Sequence, residues 1–227
     1  MRSAYNAGVA IPLFPLHLVL FPGAALPIHV FEPRYREMMA AVLGPEDDPN
    51  PDPAFGVVCI REGYEVGERA ETHDIGCLAT VEEVRRNTDG TIDLIARGMR
   101  RFRIKDRPED DPYPRADVAF LEDKPGRAAD RAIQLARTAL ERYLAVVARF
   151  ADREPPDVVL PPDPVVASFT AAALLAVDLP QVQQLLEAST ASERLVDVAR
   201  IARSEAHLLE TVGPPVGRPA IDPTSLN

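Results

Sequence analysis

Cysteine is scarce in this sequence of 227 residues, which excludes a disulfide-based scaffold. The two cysteines, Cys59 and Cys77, lie in the apolar runs FGVVCI and IGCLATV, where a free cysteine behaves as a small buried hydrophobe. The sequence leaves open whether these two cysteines form a disulfide with each other, because it does not show whether the geometry would fit. With no credible signal peptide, two buried thiols predict a protein of the reducing cytoplasm.

Histidines in metal-ligand spacing are also lacking. The segment His73-Asp74-x-x-Cys77 has no partner motif that would complete the four ligands of a zinc site. The other histidines, His17, His29 and His207, stand alone. We therefore expect no metal and no cofactor.

An uninterrupted apolar helix is the third absence. Residues 10–39 are apolar enough to resemble a membrane anchor, but a span needs about 20 residues of continuous helix. Four prolines interrupt this stretch, and each costs about 3 kcal/mol inside a helix; they are Pro12, Pro15, Pro22 and Pro27. The segment is therefore predicted to be extended and buried by the protein itself, with no membrane association.

Excess positive charge is absent as well. The net charge of -10 argues against nucleic-acid binding through overall charge, although local basic patches remain possible. A composition of 46% hydrophobic and 26% charged residues predicts a folded globular protein.

No constellation of catalytic residues stands out. Glu82-Glu83 and Asp110-Asp111 are sequence neighbours, so on a strand they would point to opposite faces and could not act as an acid and base pair. Ser168 lies in an apolar helical run without the strand-turn-helix context of an activated serine. We expect packing and solvation at these positions.

The first half of the chain has the pattern of short strands. Two or three strands are predicted within 11–31, followed by a helix from Pro33 to Gly44. A further strand is expected at 54–61, and a hairpin turns at Asp89-Gly90. Gly98 interrupts the alternation after that turn, which predicts a β-bulge. A last strand ends near Glu122.

The second half has helical periodicity. A helix of roughly seven turns is predicted from Pro125, and three shorter helices begin at Asp163-Pro164, at Pro180 and at Thr190. Thr190 and Glu193 have the spacing of a capping box. The predicted class is α+β, with an N-terminal tail (1–10), a β subdomain (11–122), a helical subdomain (123–212) and a disordered tail (213–227).

Several of these motifs together resemble a known family. They lie in IPLFPLHLVLFPGAALPIHVFEPRYREMM and YEVGERAETHDIGCLATVEEVRRNTDGTIDLIARGMRRFRI. The Phe-Pro-Gly turn at 21–23, the strand leading into Pro33, the Ile-Gly-Cys-Leu-Ala start at 75 and the Asp-Gly hairpin occur in the order and spacing of the N-terminal domain of Lon proteases. The resemblance extends to about residue 212. It implies a PUA-like β pseudo-barrel followed by an α-helical bundle, acting as a recognition and assembly module for protein substrates.

The sequence departs from full-length Lon in its chemistry. Its two lysines, Lys105 and Lys124, do not lie in the Gly-Lys-Ser/Thr context of a phosphate-binding loop. The Ser-Lys dyad of the Lon protease domain belongs to a region that this sequence does not contain. The resemblance therefore implies a non-enzymatic module.

A basic cluster offers the main alternative. Arg101, Arg103, Lys105 and Arg107 would share one face of a strand, with Phe102 and Ile104 facing inward, and the first three are the candidate anion-binding residues. We interpret this face as solvated. The alternative is an anion- or RNA-binding surface, which some PUA-like folds provide, although no aromatic stacking platform accompanies it and the acidic residues 109–111 would weaken it.

The leading hypothesis is a non-catalytic domain that binds unfolded or peptide-like polypeptide, as an adaptor or substrate receptor for proteolysis, with a protease or another protein as partner. The first alternative is an RNA- or anion-binding PUA-like module, and a weaker one is a small-ligand pocket between the halves. Peptide-binding residues stay unknown at this stage, because an exposed apolar patch and a core stripe look alike in sequence.

Overall fold

The computed structural model describes residues 10–45, 47–63, 70–108 and 112–213. These residues form two compact units that divide between Glu122 and Asp123. Nearly all of the predicted disordered tail, the glycine at position 67 and the acidic residues 109–111 lie outside the described residues.

The β unit contains a mostly antiparallel sheet and one helix. Its strands are β1 (Ala10–Leu16), β2 (Ala25–Val30), β3 (Ala54–Glu62), β4 (Glu71–Thr72), β5 (Ile75–Arg86), β6 (Ile92–Asp106) and β7 (Arg115–Phe120), and its helix is α1 (Pro33–Leu43). The strand order is β1-β7-β6-β5-β3-β4, and a parallel pairing of β1 with β3 closes five strands into a ring. β2 pairs with the first part of β6, outside this ring.

The proline-rich opening segment is extended, as predicted. β1 and β2 are strands, and residues 18–21 between them are irregular, so two strands form here and not three. α1 begins at Pro33, ends before Gly44 and buries the five predicted apolar residues: Tyr35, Met38, Met39, Val42 and Leu43. The Tyr35 ring stacks on Phe14 of β1 at 4.4 Å, which attaches the helix to the sheet.

The predicted bulge lies at Gly98. Leu78 pairs with Arg100 and the next residue, Ala79, pairs with Gly98, so Met99 is the extra residue on β6. Beyond the bulge, Phe102 and Ile104 are buried, as the alternating pattern predicted.

The second unit is helical. It contains α2 (Ala129–Phe150), α3 (Pro164–Ala173), α4 (Leu179–Glu187) and α5 (Ala191–Val212). The predicted starts of α3, α4 and α5 are confirmed within a residue or so, including the Asp163 cap on α3 and the Thr190–Glu193 capping box. Helix α5 has 22 residues, as many as α2, so the prediction that it is shorter than α2 was wrong.

Helix α2 begins later than predicted, at Ala129 and not at Pro125. Gly126 and Ala128 both have positive φ, which is incompatible with a helix. The carbonyls of Lys124 and Pro125 instead accept hydrogen bonds from the backbone N–H groups of Ala191 and Ser192, at 2.9 and 3.0 Å. This segment therefore satisfies two of the free donors at the start of α5.

Arg194 forms the polar centre of the helical unit. It is fully buried, and its guanidinium lies 3.9 Å from the centre of the Phe169 ring. Its nitrogens donate to Leu185 O at 2.7 Å, Ser168 Oγ at 2.8 Å and Ala188 O at 3.1 Å. One side chain of α5 thus contacts α3, the end of α4 and the loop after it.

No helix in the described parts of the chain is both long and apolar enough to cross a membrane.

Candidate functional site

An apolar cleft of about 220 Å³ lies in the β unit beside β2. Residues 26–31 line it. The rest of the lining comes from Phe14, Leu16 and Leu18 of β1 and the following loop, and from Glu32 and Tyr35. The cleft is thus built almost entirely by the proline-rich segment with which the chain begins.

The position of the cleft follows from the alternation of side chains along β2. Leu26 and Val30 face the core and are buried, whereas Pro27 and His29 face outward and are exposed. Successive residues of a strand point to opposite faces, yet residues of both sets line the same cleft. A single concavity reaches both faces of a strand only along its edge, so the cleft follows the edge of β2 that faces away from β6.

Hydrogen bonds determine which backbone groups of β2 point to that edge. Gly98 N–H donates to Ala24 O, and on the other side of β6 Asn87 N–H donates to Thr91 O, each at 2.9 Å. Hydrogen-bonding direction alternates along an antiparallel ladder. The backbone groups of the even-numbered residues of β2 therefore bond to β6. The backbone N–H and C=O groups of the odd-numbered residues, Ala25, Pro27 and His29, point to the edge that faces away from β6.

The strand has one pairing partner within the described ranges, and that partner is β6. Pro27 fits this arrangement, since a proline, which has no N–H, is accommodated where the strand edge is unpaired.

Polar side chains near the cleft engage one another. His29 Nδ1 lies 2.6 Å from Asp93 Oδ1, while Asn87 and Arg85 donate to Asp93 Oδ2 at 2.9 and 2.7 Å. Hydrogen bonds from Asn87, His29 and Arg85 hold the pKa of the Asp93 carboxyl well below its usual range. At the other end, Arg34 pairs with Glu32 at 3.2 Å. The polar rim therefore leaves the apolar lining as the surface available for contact.

Phe31 lines this cleft and has 53% of its surface exposed. Its ring lies against that of His29, with centroids 6.1 Å apart. An exposed aromatic side chain continuous with an apolar cleft is typical of a contact surface.

The three residues of the alternative anion site differ in their exposure to solvent. Arg103 and Lys105 are exposed, but Arg101 is only 2% exposed and pairs with Cys77 of β5 within the sheet. Interpreting all three as one solvated face was therefore wrong for Arg101. A phosphate could approach two of the three residues.

The cysteines and the serine considered as candidates are buried structural residues. Cys59 and Cys77 are buried free thiols, and burial raises the pKa of Cys59 to about 11, which keeps it neutral. Ser168 is buried and donates to Val165 O at 2.7 Å. Among the described residues, no group of three His, Cys, Asp or Glu side chains is arranged to hold a metal ion.

The sequence did not reveal the cleft. Its lining residues read as core because they are apolar and lie in short strands. One signal was available: Pro27 inside a strand indicates an unpaired edge, and Phe31 follows directly on that strand.

Comparison with known proteins agrees with this architecture. The model of the ATP-dependent protease La (LON) substrate-binding domain matches residues 10–203. A crystal structure of a Lon N-terminal domain protein from Xanthomonas campestris matches with a TM-score of 0.59 and 27% identity, covering 85% of this chain and 98% of that one. The N-terminal domain of Mycobacterium avium complex Lon protease shares the fold, with a TM-score of 0.55 and 19% identity, covering 88% of this chain and 98% of that one.

Full-length relatives give the same assignment. The Lon protease of Porphyromonas gingivalis is 26% identical over 208 residues, which are 88% of this chain and 24% of that protein. The Lon protease of Escherichia coli K12 is 24% identical over 217 residues, or 92% of this chain and 26% of that protein. The chain thus spans about a quarter of the length of these relatives.

The β unit and the helical unit together make this an α+β domain of the Lon N-terminal type. The chain belongs to the Lon substrate-binding domain family.

Proposed function

We propose that this chain binds unfolded or peptide-like polypeptide through the β2 cleft and acts without catalysis, as a receptor or adaptor that presents substrates for proteolysis. The observation that carries the proposal is the apolar cleft along a strand edge, with the exposed Phe31 beside it, in a member of a substrate-binding family. A protease or another protein would be its partner, and the cytoplasm its compartment.

The chemistry of the cleft suits a polypeptide. Unfolded chains expose apolar side chains that folded proteins bury, and transferring them into an apolar cleft is favourable. The cleft is smaller than the roughly 300–1,000 Å³ typical of small-molecule sites, at about 220 Å³. It therefore fits one or two side chains of a longer ligand better than an enclosed cofactor.

Replacing Phe31 tests the site. We expect Phe31→Ser to weaken binding of a permanently unfolded model protein by about tenfold, because an exposed aromatic anchor is lost. The folded state should be nearly unaffected, since the side chain is 53% exposed. Affinity is measured by fluorescence anisotropy, without nucleotide or protease.

Met99→Ser is the matched control. Met99 is 54% exposed and lies on the bulge of β6, outside the cleft lining. Equal weakening by both variants would show that general surface hydrophobicity binds the ligand, which contradicts a defined site.

Salt dependence separates polypeptide binding from the RNA alternative. We expect the affinity for unfolded protein to change less than about threefold between 50 and 200 mM salt, because apolar burial is little screened. Binding through six to ten phosphate contacts would instead fall by about 10³ to 10⁵ over that range. Both ligands are titrated across the range.

The charge-reversal control uses Arg103→Glu with Lys105→Glu, since both side chains are exposed and Arg101 is not. Tight, salt-sensitive binding of a structured RNA that this double variant abolishes, with no polypeptide binding, would favour the RNA-binding alternative.

A further inference from the structure

We infer that the bound polypeptide adds to the sheet as a further strand, pairing with the open edge of β2. This inference rests on the proposed function and specifies how the cleft recognises its ligand. The occupant is an extended segment, held by backbone hydrogen bonds and by side chains that enter the cleft.

The edge offers a defined set of hydrogen-bonding groups. The backbone N–H and C=O groups that point away from β6 belong to Ala25, Pro27 and His29. This direction follows from the hydrogen bonds of Gly98 with Ala24 and of Asn87 with Thr91. These residues provide three carbonyl acceptors and, because proline has no N–H, two donors. An extended backbone carries donors and acceptors at the same spacing, whereas a helix has already used its own.

Pro27 limits how the edge can be used. An unpaired strand edge is a template for uncontrolled association, and a proline on it is one of the devices that prevent this. It removes one donor from the middle of the edge and leaves those of Ala25 and His29 on either side. The edge can therefore hold a short segment but cannot support a continuous intermolecular sheet.

The two faces of the added strand would have different surroundings. Side chains on the inner face would meet Leu16, Leu18 and Tyr35, which line the cleft together with β2. Those on the outer face would pass His29 and Phe31, which are exposed. Because side chains alternate along a strand, the preferred ligand class is an extended segment with apolar residues at every second position.

A proline at position 29 tests the hydrogen bond from that residue. His29→Pro removes an N–H that points away from β6, so the pairing of β2 with β6 is retained, as it is at Pro27. We expect this variant to bind an alternating apolar peptide about three- to tenfold more weakly than His29→Ala, the loss expected for one hydrogen bond. His29→Ala is the matched control, because it removes the same contact with Asp93 and keeps the N–H.

Peptide chemistry provides a test that needs no variant. Two peptides of one alternating sequence carry N-methyl groups on opposite edges of the strand, one set on odd and the other on even residues. We expect one peptide to lose at least tenfold in affinity for the wild-type chain and the other to bind like the unmodified peptide, because only one edge pairs with β2. A peptide of the same composition in helical period should bind more weakly than the alternating one.

Equal binding of the two N-methylated peptides, or equal affinities of His29→Pro and His29→Ala, would overturn strand addition. If Phe31→Ser still weakened binding, the cleft would remain the polypeptide site and only the mode of recognition would be wrong. Failure of all these peptides and of unfolded protein to bind would instead remove the proposed function itself.

Discussion

Arg194→Ala is expected to lower the free energy of unfolding of the helical unit by about 3–5 kcal/mol, because each buried acceptor left unpaired costs about 1–3 kcal/mol and the cavity adds to this cost. The guanidinium donates to the carbonyls of Leu185 and Ala188 and to Ser168 Oγ, and it covers the Phe169 ring. Alanine would leave buried acceptors without that donor and a cavity where the side chain was. The measurement is urea denaturation of the full chain followed by far-UV circular dichroism.

Arg200→Ala is the control on the same helix. Arg200 is exposed and contacts Asp197 one turn earlier, so its loss should cost less than about 1 kcal/mol. An Arg194→Lys variant tests the geometry, because an ammonium group cannot reproduce the planar fork or its stacking on Phe169. If Arg194→Ala unfolded at the same urea concentration as Arg200→Ala, the buried network would not stabilise the unit.

Local rules predicted most elements of this fold. Proline spacing excluded a helix at the start of the chain, and Pro33 and Gly44 marked the ends of α1. Asp89-Gly90 located the hairpin, and the break in alternation at Gly98 located the bulge. Each signal depends on the backbone preferences of one or two residues, which is why a single sequence was sufficient.

Features that depend on distant contacts could not be predicted in this way. Helix α2 starts at Ala129 because residues 124 and 125 bond to the first turn of α5, more than sixty positions later. Arg194 resembled any surface arginine until the folded chain placed the end of α4 and Phe169 around it. Arg101 likewise followed the alternating pattern of an exposed face but is buried.

The cleft belongs to the same class of feature. Its lining residues come from β1, the loop after it, β2 and α1, and their apolar character predicts burial at every position. Among the residues that the structure describes, β2 pairs with β6 alone, and this topology is what leaves its other edge unpaired there. The resemblance to Lon N-terminal domains predicted a polypeptide-binding role, but proposing a location for that role required the strand topology.

Gly98→Ala is expected to cost about 2–3 kcal/mol of stability and to weaken polypeptide binding together with it. A Cβ at this position would clash with the carbonyl oxygen of Phe21, and Cys77 Sγ would lie 3.2 Å away. The turn at residues 21–24 is fixed to Gly98 by two hydrogen bonds, from Gly23 N–H to Gly98 O and from Gly98 N–H to Ala24 O, at 2.8 and 2.9 Å. A backbone atom cannot rotate away as a side chain can, so the turn must move and displace the start of β2.

The displacement links the bulge to the cleft, because β2 forms one side of that cleft. We therefore expect Gly98→Ala to shift the urea midpoint and to reduce the affinity for unfolded protein by at least fivefold when measured well below that midpoint. Met99→Ser alters the adjacent bulge residue without adding atoms near Phe21 and should leave the stability within about 0.5 kcal/mol of wild type. A Gly98→Ala chain that lost stability but bound polypeptide normally would show that the position of β2 does not determine recognition, and would place the binding surface elsewhere on the domain.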